Sequence, residues 1–279
     1  MVIKDCLSNA CSQLKNSGNE NPIFEAHMIV RHFLKMTPIE LVLDGDKEID
    51  DKAFKLINEA VERRIKREPL QYILSSQEFM GIEFYVDKNV LVPRSDTETL
   101  VEHILKEFIN TPFSALDIGT GSGCIAVSLA CFSKKSHIRG IDISPKAVEI
   151  AKRNAENNEV LDRTCFEVAD IFNYECFGKY DLVVSNPPYI ETDVIKNLDD
   201  DVKNYEPIGA LDGGADGLDF YRYIVNFAPL VLREKGMLAF EVGHTQANMV
   251  AKLMQKDFCD IKIIKDLCGV ERVVSGRIK

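Results

Sequence analysis

Up to about residue 75, apolar side chains recur every three to four positions: Ile3, Leu7, Ala10 and Leu14, then Ile23, Met28, Val30, Phe33 and Leu34, then Phe54, Ile57, Val61 and Ile65. That spacing predicts amphipathic helices, each burying one stripe against its neighbours. Asn21-Pro22 predicts a cap before a first-turn proline, and Thr37-Pro38-Ile39-Glu40 predicts a capping box. Residues 1–75 are therefore read as a small helical bundle. Over 76–92 the period changes to two, and Phe79 to Val86 alternates around Gly81 as a hairpin linker does. From residue 93 helix and strand signals alternate. Ser95-Asp96-Thr97-Glu98 is read as the cap of a helix reaching about Phe108. Apolar runs at 115–118, 138–141, 165–168, 181–184 and 237–242 read as strands, helical spacing fills 122–132, 145–157, 217–233 and 245–256, and two more strands follow near 261–275. Such alternation predicts an α/β unit over 93–279, a mainly parallel sheet covered by helices on both faces.

Composition narrows the partners. At 279 residues and 46% apolar content the chain is long enough for two cores. Its net charge is −10, and because the first 75 residues carry 11 basic and 12 acidic side chains, nearly all the excess lies beyond them. Non-specific attraction to nucleic-acid phosphates or anionic membranes is thus a poor starting point. Cysteines at 6, 11, 124, 131, 165, 176, 259 and 268 form no Cys-x-x-Cys, and His27 and His32 are five apart, so no metal site is expected and most cysteines read as small buried hydrophobes. The basic run from Glu62 to Glu68 reads as a solvated helix face. With no signal-peptide core and no apolar run near the roughly 20 residues of a membrane helix, a cytoplasmic protein is expected.

The chemistry lies in the α/β unit. Leu116-Asp117-Ile118-Gly119-Thr120-Gly121-Ser122-Gly123-Cys124 runs from a strand into a helix, where glycines admit a ligand to the backbone and expose amide donors. A dinucleotide fingerprint needs Gly-x-Gly-x-x-Gly, but Cys124 occupies its last position. A ligand without a pyrophosphate fits better, and Asp117 suits a cationic one such as S-adenosylmethionine. Asp142, 21 residues after Gly121, ends the next strand where a carboxylate accepts from ribose hydroxyls. Asp170 repeats the arrangement for an adenine amino group, with Ile171 or Phe172 covering the ring. Asn186-Pro187-Pro188-Tyr189 ends a buried strand in a rigid turn whose Asn186 side-chain carbonyl and Pro187 backbone carbonyl are two acceptors for a planar NH₂ group, with Tyr189 able to stack on its π-system. His244 is read as part of a helix start, and Arg94 as approaching cofactor or substrate.

These motifs resemble a known family. The Asp117 to Gly123 loop, Asp142 and Asn186-Pro187-Pro188-Tyr189 look like the amino methyltransferases. Leu91 to Glu98, Glu206-Pro207 with Ala210-Leu211, Gly213-Gly214-x-Asp216-Gly217-Leu218, Glu241-x-Gly243 and Gly269-x-x-Arg272 resemble the HemK-type peptide chain release factor glutamine methyltransferases. The resemblance implies a seven-stranded Rossmann-like methyltransferase sheet behind a helical substrate-docking domain. It implies transfer of a methyl group from S-adenosylmethionine to the glutamine amide of the Gly-Gly-Gln loop of release factors. The implied cofactor residues are Asp117, Gly119, Thr120, Gly121, Ser122, Gly123, Asp142, Asp170, Ile171 and Asn186. Asn186, Pro187, Pro188 and Tyr189 would hold the substrate. An adenine amino methyltransferase would share the same turn. Between Glu191 and Asp219, however, nine acidic residues face only Lys196 and Lys203, an expected lip that welcomes a basic protein loop and repels nucleic acid. The expected protein is a cytoplasmic monomer with no membrane or direct nucleic-acid partner.

Overall fold

A computed structural model describes residues 1–175 and 178–279, and the elements below are those of the described residues. The chain divides into two compact units, one of 1–75 together with 199–205 and one of 76–198 together with 206–279.

In the helical unit, α1 (Ile3–Asn16), α2 (Pro22–Leu34), α3 (Pro38–Leu43), α4 (Asp51–Ile65) and α5 (Leu70–Leu74) bury Ile3, Leu14, Ile29, Ile57 and Val61 in one core. The capping box forms as expected, with Thr37 accepting from the Glu40 amide while Glu40 accepts from the Thr37 amide. Asn21 does sit at the cap of α2, but its side chain caps nothing; its own amide donates instead to Asn19 Oδ1 at 2.8 Å. Part of the basic run on α4 is structural as well as solvated. Arg64 reaches Glu25 on α2 through two bonds, 2.6 and 3.1 Å, in a pair whose side chains are only 12% exposed.

The second unit opens with a hairpin, β1 (Gln77–Phe79) and β2 (Ile82–Phe84), turning through Met80 and Gly81, both at positive φ. It continues through α6 (Ser95–Glu107), β3 (Ser114–Ile118), α7 (Cys124–Phe132), β4 (His137–Asp142), α8 (Pro145–Asn157), β5 (Thr164–Val168) and β6 (Tyr180–Ser185). A short helix, α9 (Thr192–Ile195), comes before α11 (Asp219–Val231), β7 (Leu232–Glu241), α12 (Ala247–Met254), β8 (Phe258–Lys265) and β9 (Glu271–Ile278), while α10 (Asp200–Tyr205), between α9 and α11 in the chain, belongs to the helical unit. The α6 cap differs from expectation: Arg94 holds the cap position without a side-chain bond. Glu98 accepts instead from the Met80 amide at 2.6 Å, because the hairpin turn leaves that donor with no strand partner.

Seven strands form one sheet in the order β5-β4-β3-β6-β7-β9-β8, with β3 to β7 parallel and β9 antiparallel to both its neighbours, β7 and β8. The inner strands β3, β4, β6 and β7 are largely buried because α6, α7 and α8 cover one face and α11 and α12 the other, giving two core layers, while the edge strand β5 is mostly exposed. The order reverses at β3, whose neighbours β4 and β6 lead away in opposite directions, and this opens a crevice beyond the strands' carboxyl ends. The cysteine expectation fails in part: Cys6 is buried, Cys11, Cys124 and Cys131 are half-buried, and Cys165, Cys259 and Cys268 are exposed. Cys176 lies outside the described residues.

Helices α7 and α8 meet where Gly123 caps α7 at φ +80°, and a Cβ there would stand 3.0 Å from Ala151 Cβ and 3.2 Å from its Cα. Gly123→Ala should therefore cost about 2–4 kcal/mol, combining overpacking with a left-handed backbone penalty. Urea denaturation followed by circular dichroism measures this. Adding Ala151→Gly should recover the packing share and leave the backbone share, whereas no recovery would mean that the contact is unimportant.

Candidate active site

A cleft of about 320 Å³ lies at the crevice. Its wall takes Ile118 to Ser122 from the end of β3, Ile141 to Ser144 from β4, Ala169 to Phe172 after β5 and Ser185 to Pro188 from β6, with Arg94 and Thr97 from α6. Each strand stops where its polar residue is needed. At the end of β6, Ser185 Oγ donates to the Ile118 carbonyl at 2.7 Å and ties that strand to β3. Pro187 and Pro188 then end the ladder by offering no amide.

On the β3–β4 side, Asp142 takes the Gly121 amide on Oδ2 at 2.8 Å and the Ser144 amide on Oδ1 at 2.9 Å. Burial raises its pKa, and those two amides oppose the rise. It lines the cleft and at the same time shapes the loop. Gly119 and Gly121 adopt φ +72° and +55°, and no atom lies closer than 4.0 Å to where a Cβ would stand on either, so open space faces the loop. Asp117 is fully buried beneath the loop. Its Oδ2 accepts from Thr120 Oγ1 at 2.6 Å, and Oδ1 is without a hydrogen bond among the described residues. Burial pushes its pKa up to about 7. Asp170 accepts from the Phe172 amide and from Asn173 Nδ2, while Ile143 and Phe172 stand exposed at the mouth. The group that S-adenosylmethionine would present, a flat ring, a diol and two cationic centres, fits these parts: apolar surfaces at the mouth, carboxylates at two strand ends and a buried carboxylate with spare capacity.

On the β6 side, Asn186 lines the cleft and donates from Nδ2 to Thr97 Oγ1 at 3.2 Å, which leaves its Oδ1 as the end not committed to Thr97. Tyr189 departs from expectation. It is absent from the cleft wall and sends its hydroxyl to Glu241 Oε1 at 3.4 Å, because a buried carboxylate needs a donor. Burial, together with the nearby Glu241, raises the pKa of its phenol. Asp117 and Gly123 likewise stand behind the wall, the first under the loop and the second against Ala151.

Several residues here were not foreseen. Asn154 on α8 is fully buried, donates to the Ser122 carbonyl at 2.8 Å and the Tyr85 carbonyl at 2.9 Å, and accepts the Tyr85 amide at 2.7 Å. It thereby joins the glycine loop to the segment after the hairpin. Gln246 donates from Nε2 to the Tyr189 and Gly217 carbonyls and accepts the Gly243 amide. It holds the Asn-Pro-Pro-Tyr turn against two loops. Nothing local in the sequence distinguishes either amide from a surface one. His244, by contrast, is exposed, and α12 begins three residues later at Ala247. Arg94 lines the cleft and pairs with Glu206 at 2.6 Å.

Much of the acidic lip is tied to local partners. Glu206 is buried and paired with Arg94, while Asp216 and Asp219 share Arg222. Asp212 accepts from the Thr192 hydroxyl and the Gly214 amide, and Asp199 to Asp201 belong with the helical unit. These bonds tie the carboxylates down without removing their charge, and the Thr192 and Gly214 donors hold Asp212 below the usual carboxylate range.

Among known proteins, the family profile described as the PrmC N-terminal domain matches residues 5–74, and that of the methyltransferase small domain matches 94–200. A release factor glutamine methyltransferase of Clostridium acetobutylicum is 40% identical over 278 residues, 98% of each chain. One of Geobacter sulfurreducens is 43% identical over 280 residues, 99% of this chain and 97% of its own. A crystal structure of a methyltransferase from Pyrococcus furiosus aligns with 72% of this chain and 90% of its own at a TM-score of 0.54 and 22% identity, a likeness of fold. Identity of this extent along nearly the whole length, on a methyltransferase sheet whose crevice suits S-adenosylmethionine, means that the chain belongs to the release factor glutamine methyltransferase family, enzymes that depend on that cofactor.

Proposed function

We propose that this chain transfers the methyl group of S-adenosylmethionine to the side-chain amide nitrogen of the glutamine in the Gly-Gly-Gln loop of peptide chain release factors, and so modulates translation termination. The observation that carries the reading is the commitment of Asn186 Nδ2 to Thr97, which turns the acceptor end of the amide to a cleft built for a nucleotide-like ligand. The bound cofactor supplies an electrophilic methyl group and a neutral thioether leaving group. Gly119 to Ser122, Asp142, Asp170 and Ile171 are the residues that would hold it, with Asp117 buried behind them, bonded to Thr120 beneath the loop.

The chain's own contribution is alignment. An amide nitrogen is a poor nucleophile because its lone pair is delocalised into the carbonyl. Two acceptors, Asn186 Oδ1 and the Pro187 carbonyl, would engage both N–H groups, draw density toward the nitrogen and fix the direction from which it attacks. Tyr189 acts from behind the turn, through Glu241. No strong base is required, since a methylated nitrogen that still carries its extra proton is acidic enough to lose it to water. Holding two reactants in near-attack geometry supplies on the order of 7–11 kcal/mol, and preorganised acceptors add to it.

The helical unit is the proposed docking domain. Ile39, Val42 and Leu43 on α3 are 70, 76 and 77% exposed, an apolar face available to a protein partner. The case against nucleic acid rests on the net charge of −10 and on the lip, where Arg94, Arg222, Lys196 and Lys203 leave most of the nine carboxylates uncompensated. Among the described residues no helix is long and apolar enough to cross a membrane, which is compatible with action in the cytoplasm on the translation machinery.

Incubation with labelled S-adenosylmethionine should label a release factor, should fail when its Gly-Gly-Gln glutamine is changed to Asn or Glu, and should leave adenine-containing nucleic acid unlabelled. Label on adenine, with no effect of the glutamine changes, would overturn the reading. Asn186→Ala should reduce turnover by about 10² to 10³ with cofactor affinity nearly intact, by the measure of one lost preorganised polar group. Asp142→Ala should act the other way, weakening cofactor binding by about 1.5–3 kcal/mol in calorimetry. Unchanged affinity in a folded variant would remove Asp142 from the cofactor site.

A further inference from the structure

Two carboxylates, Asp142 and Asp170, line the cleft, and Arg94 is the only cationic side chain among its described lining residues. The Arg94 side chain is 45% exposed, and its Nη2 donates at 2.6 Å to Glu206, whose side chain is 1% exposed. A guanidinium carries five N–H donors in one rigid plane. A single ion pair therefore fixes its place and leaves most of the fork to a ligand. The acids that follow Arg94 on α6 do not compete for it: Asp96 is taken by Arg272 at 2.8 Å and Glu98 by the Met80 amide at 2.6 Å.

The glycine loop, by contrast, has little to offer an anion. The Gly119 and Thr120 amides both donate to the Ile141 carbonyl, at 2.9 and 3.0 Å, the Gly121 amide to Asp142 at 2.8 Å, and the Gly123 amide to the Thr120 carbonyl at 2.8 Å. Four of the five backbone N–H groups from 119 to 123 are thus committed within the fold. The Thr120 hydroxyl is committed too, to Asp117 at 2.6 Å. A negative group entering beside this loop meets two carboxylates before it meets free donors, and a charge that leaves water needs a partner. S-adenosylmethionine carries one such group, the carboxylate of its methionine end.

We propose that Arg94, held in place by Glu206, binds the methionine carboxylate of S-adenosylmethionine. The proposal concerns the cofactor alone and does not depend on which amide receives the methyl group. Charge favours the cofactor over the methyl acceptor as the partner of Arg94. A Gly-Gly-Gln segment carries no anion, and a basic loop arriving beside a cation would be repelled, whereas the cofactor brings one carboxylate to a cleft whose described lining holds one cation. A planar guanidinium meets a planar carboxylate through two parallel N–H···O bonds, a geometry that a neutral amide cannot supply. Methyl transfer removes the sulfonium charge and leaves the carboxylate untouched, so the contact holds the cofactor and its thioether product alike.

Calorimetry on the full-length chain, with no methyl acceptor present, compares S-adenosylmethionine with decarboxylated S-adenosylmethionine, which keeps the sulfonium and the amine. The wild type should bind the carboxylate-bearing cofactor about 10- to 100-fold more tightly, the range of one hydrogen-bonded contact between charged groups. Arg94→Met should remove most of that preference by weakening the first ligand and sparing the second. Arg94→Lys, which keeps the charge but not the fork, should restore part of it. Because Arg94→Met removes the cation paired with buried Glu206, the double variant Arg94→Met with Glu206→Gln is measured beside it and should show the same loss of preference. Equal affinity of the wild type for the two ligands, or an Arg94→Met preference as large as the wild type's, would overturn the proposal. A loss shared equally by both ligands would overturn it as well, since it would make Arg94 a support of the cleft wall and not the partner of the carboxylate. A release factor that goes unlabelled sinks only the acceptor reading, because no acceptor enters the binding comparison.

Discussion

A carboxamide has two ends of nearly equal shape and opposite hydrogen-bonding character, and this site depends on which end of Asn186 faces the cleft. The backbone cannot decide it, because rotating the terminal torsion by half a turn changes no packing volume. Only the hydrogen-bond partner decides. Thr97 is that partner: its hydroxyl oxygen accepts from Asn186 Nδ2 at 3.2 Å. On the same turn the Tyr189 hydroxyl donates at 3.4 Å to Glu241, a carboxylate at 1% exposure whose burial carries a desolvation penalty.

The same logic recurs one layer out. Buried amides pin loops that the sheet itself does not hold: Asn154 ties the glycine loop to the segment after the hairpin, and Gln246 ties the turn after β6 to two neighbouring loops. Each side chain meets backbone groups from two or three segments, so each replaces several ladder bonds that irregular chain cannot make. Rigid loops at the carboxyl ends of a parallel sheet are what alignment catalysis requires.

Much of this was legible in the sequence, and the reasons are physical. Helix and strand periods differ enough that the longer elements from α6 to β9 read correctly to within a few residues, although β7 begins five residues before its predicted start and the short α9 and α10 were not read at all. Glycine spacing and a proline pair are local signals, so Asp142, the 119–123 loop and the turn at Asn186 could be placed without coordinates. Signals that depend on the third dimension were not available. Tyr189 reads as an aromatic beside a site, yet its partner Glu241 lies 52 residues further on and turns it inward. Acidic residues crowd between Glu191 and Asp219, but the pairing of Glu206 with Arg94 and of Asp216 with Arg222, and the Gly214 amide on Asp212, are contacts that no window of sequence reveals. Ser95 and Asn21 look like caps, and a neighbour supplied a better use for the backbone or side chain nearby.

Residues 199–205 belong with the helical unit although they leave and rejoin the methyltransferase unit, and within the helical unit the Tyr205 hydroxyl donates to the Lys66 carbonyl at 2.8 Å. The polypeptide therefore passes between the two units three times rather than once. No single scission separates them. A fragment beginning at residue 76 would carry α10 with nothing to pack on, and a fragment ending at 75 would lack one of its own pieces. In this protein, then, the unit boundary is a property of the folded chain, and truncation at a linker is not the way to isolate either half.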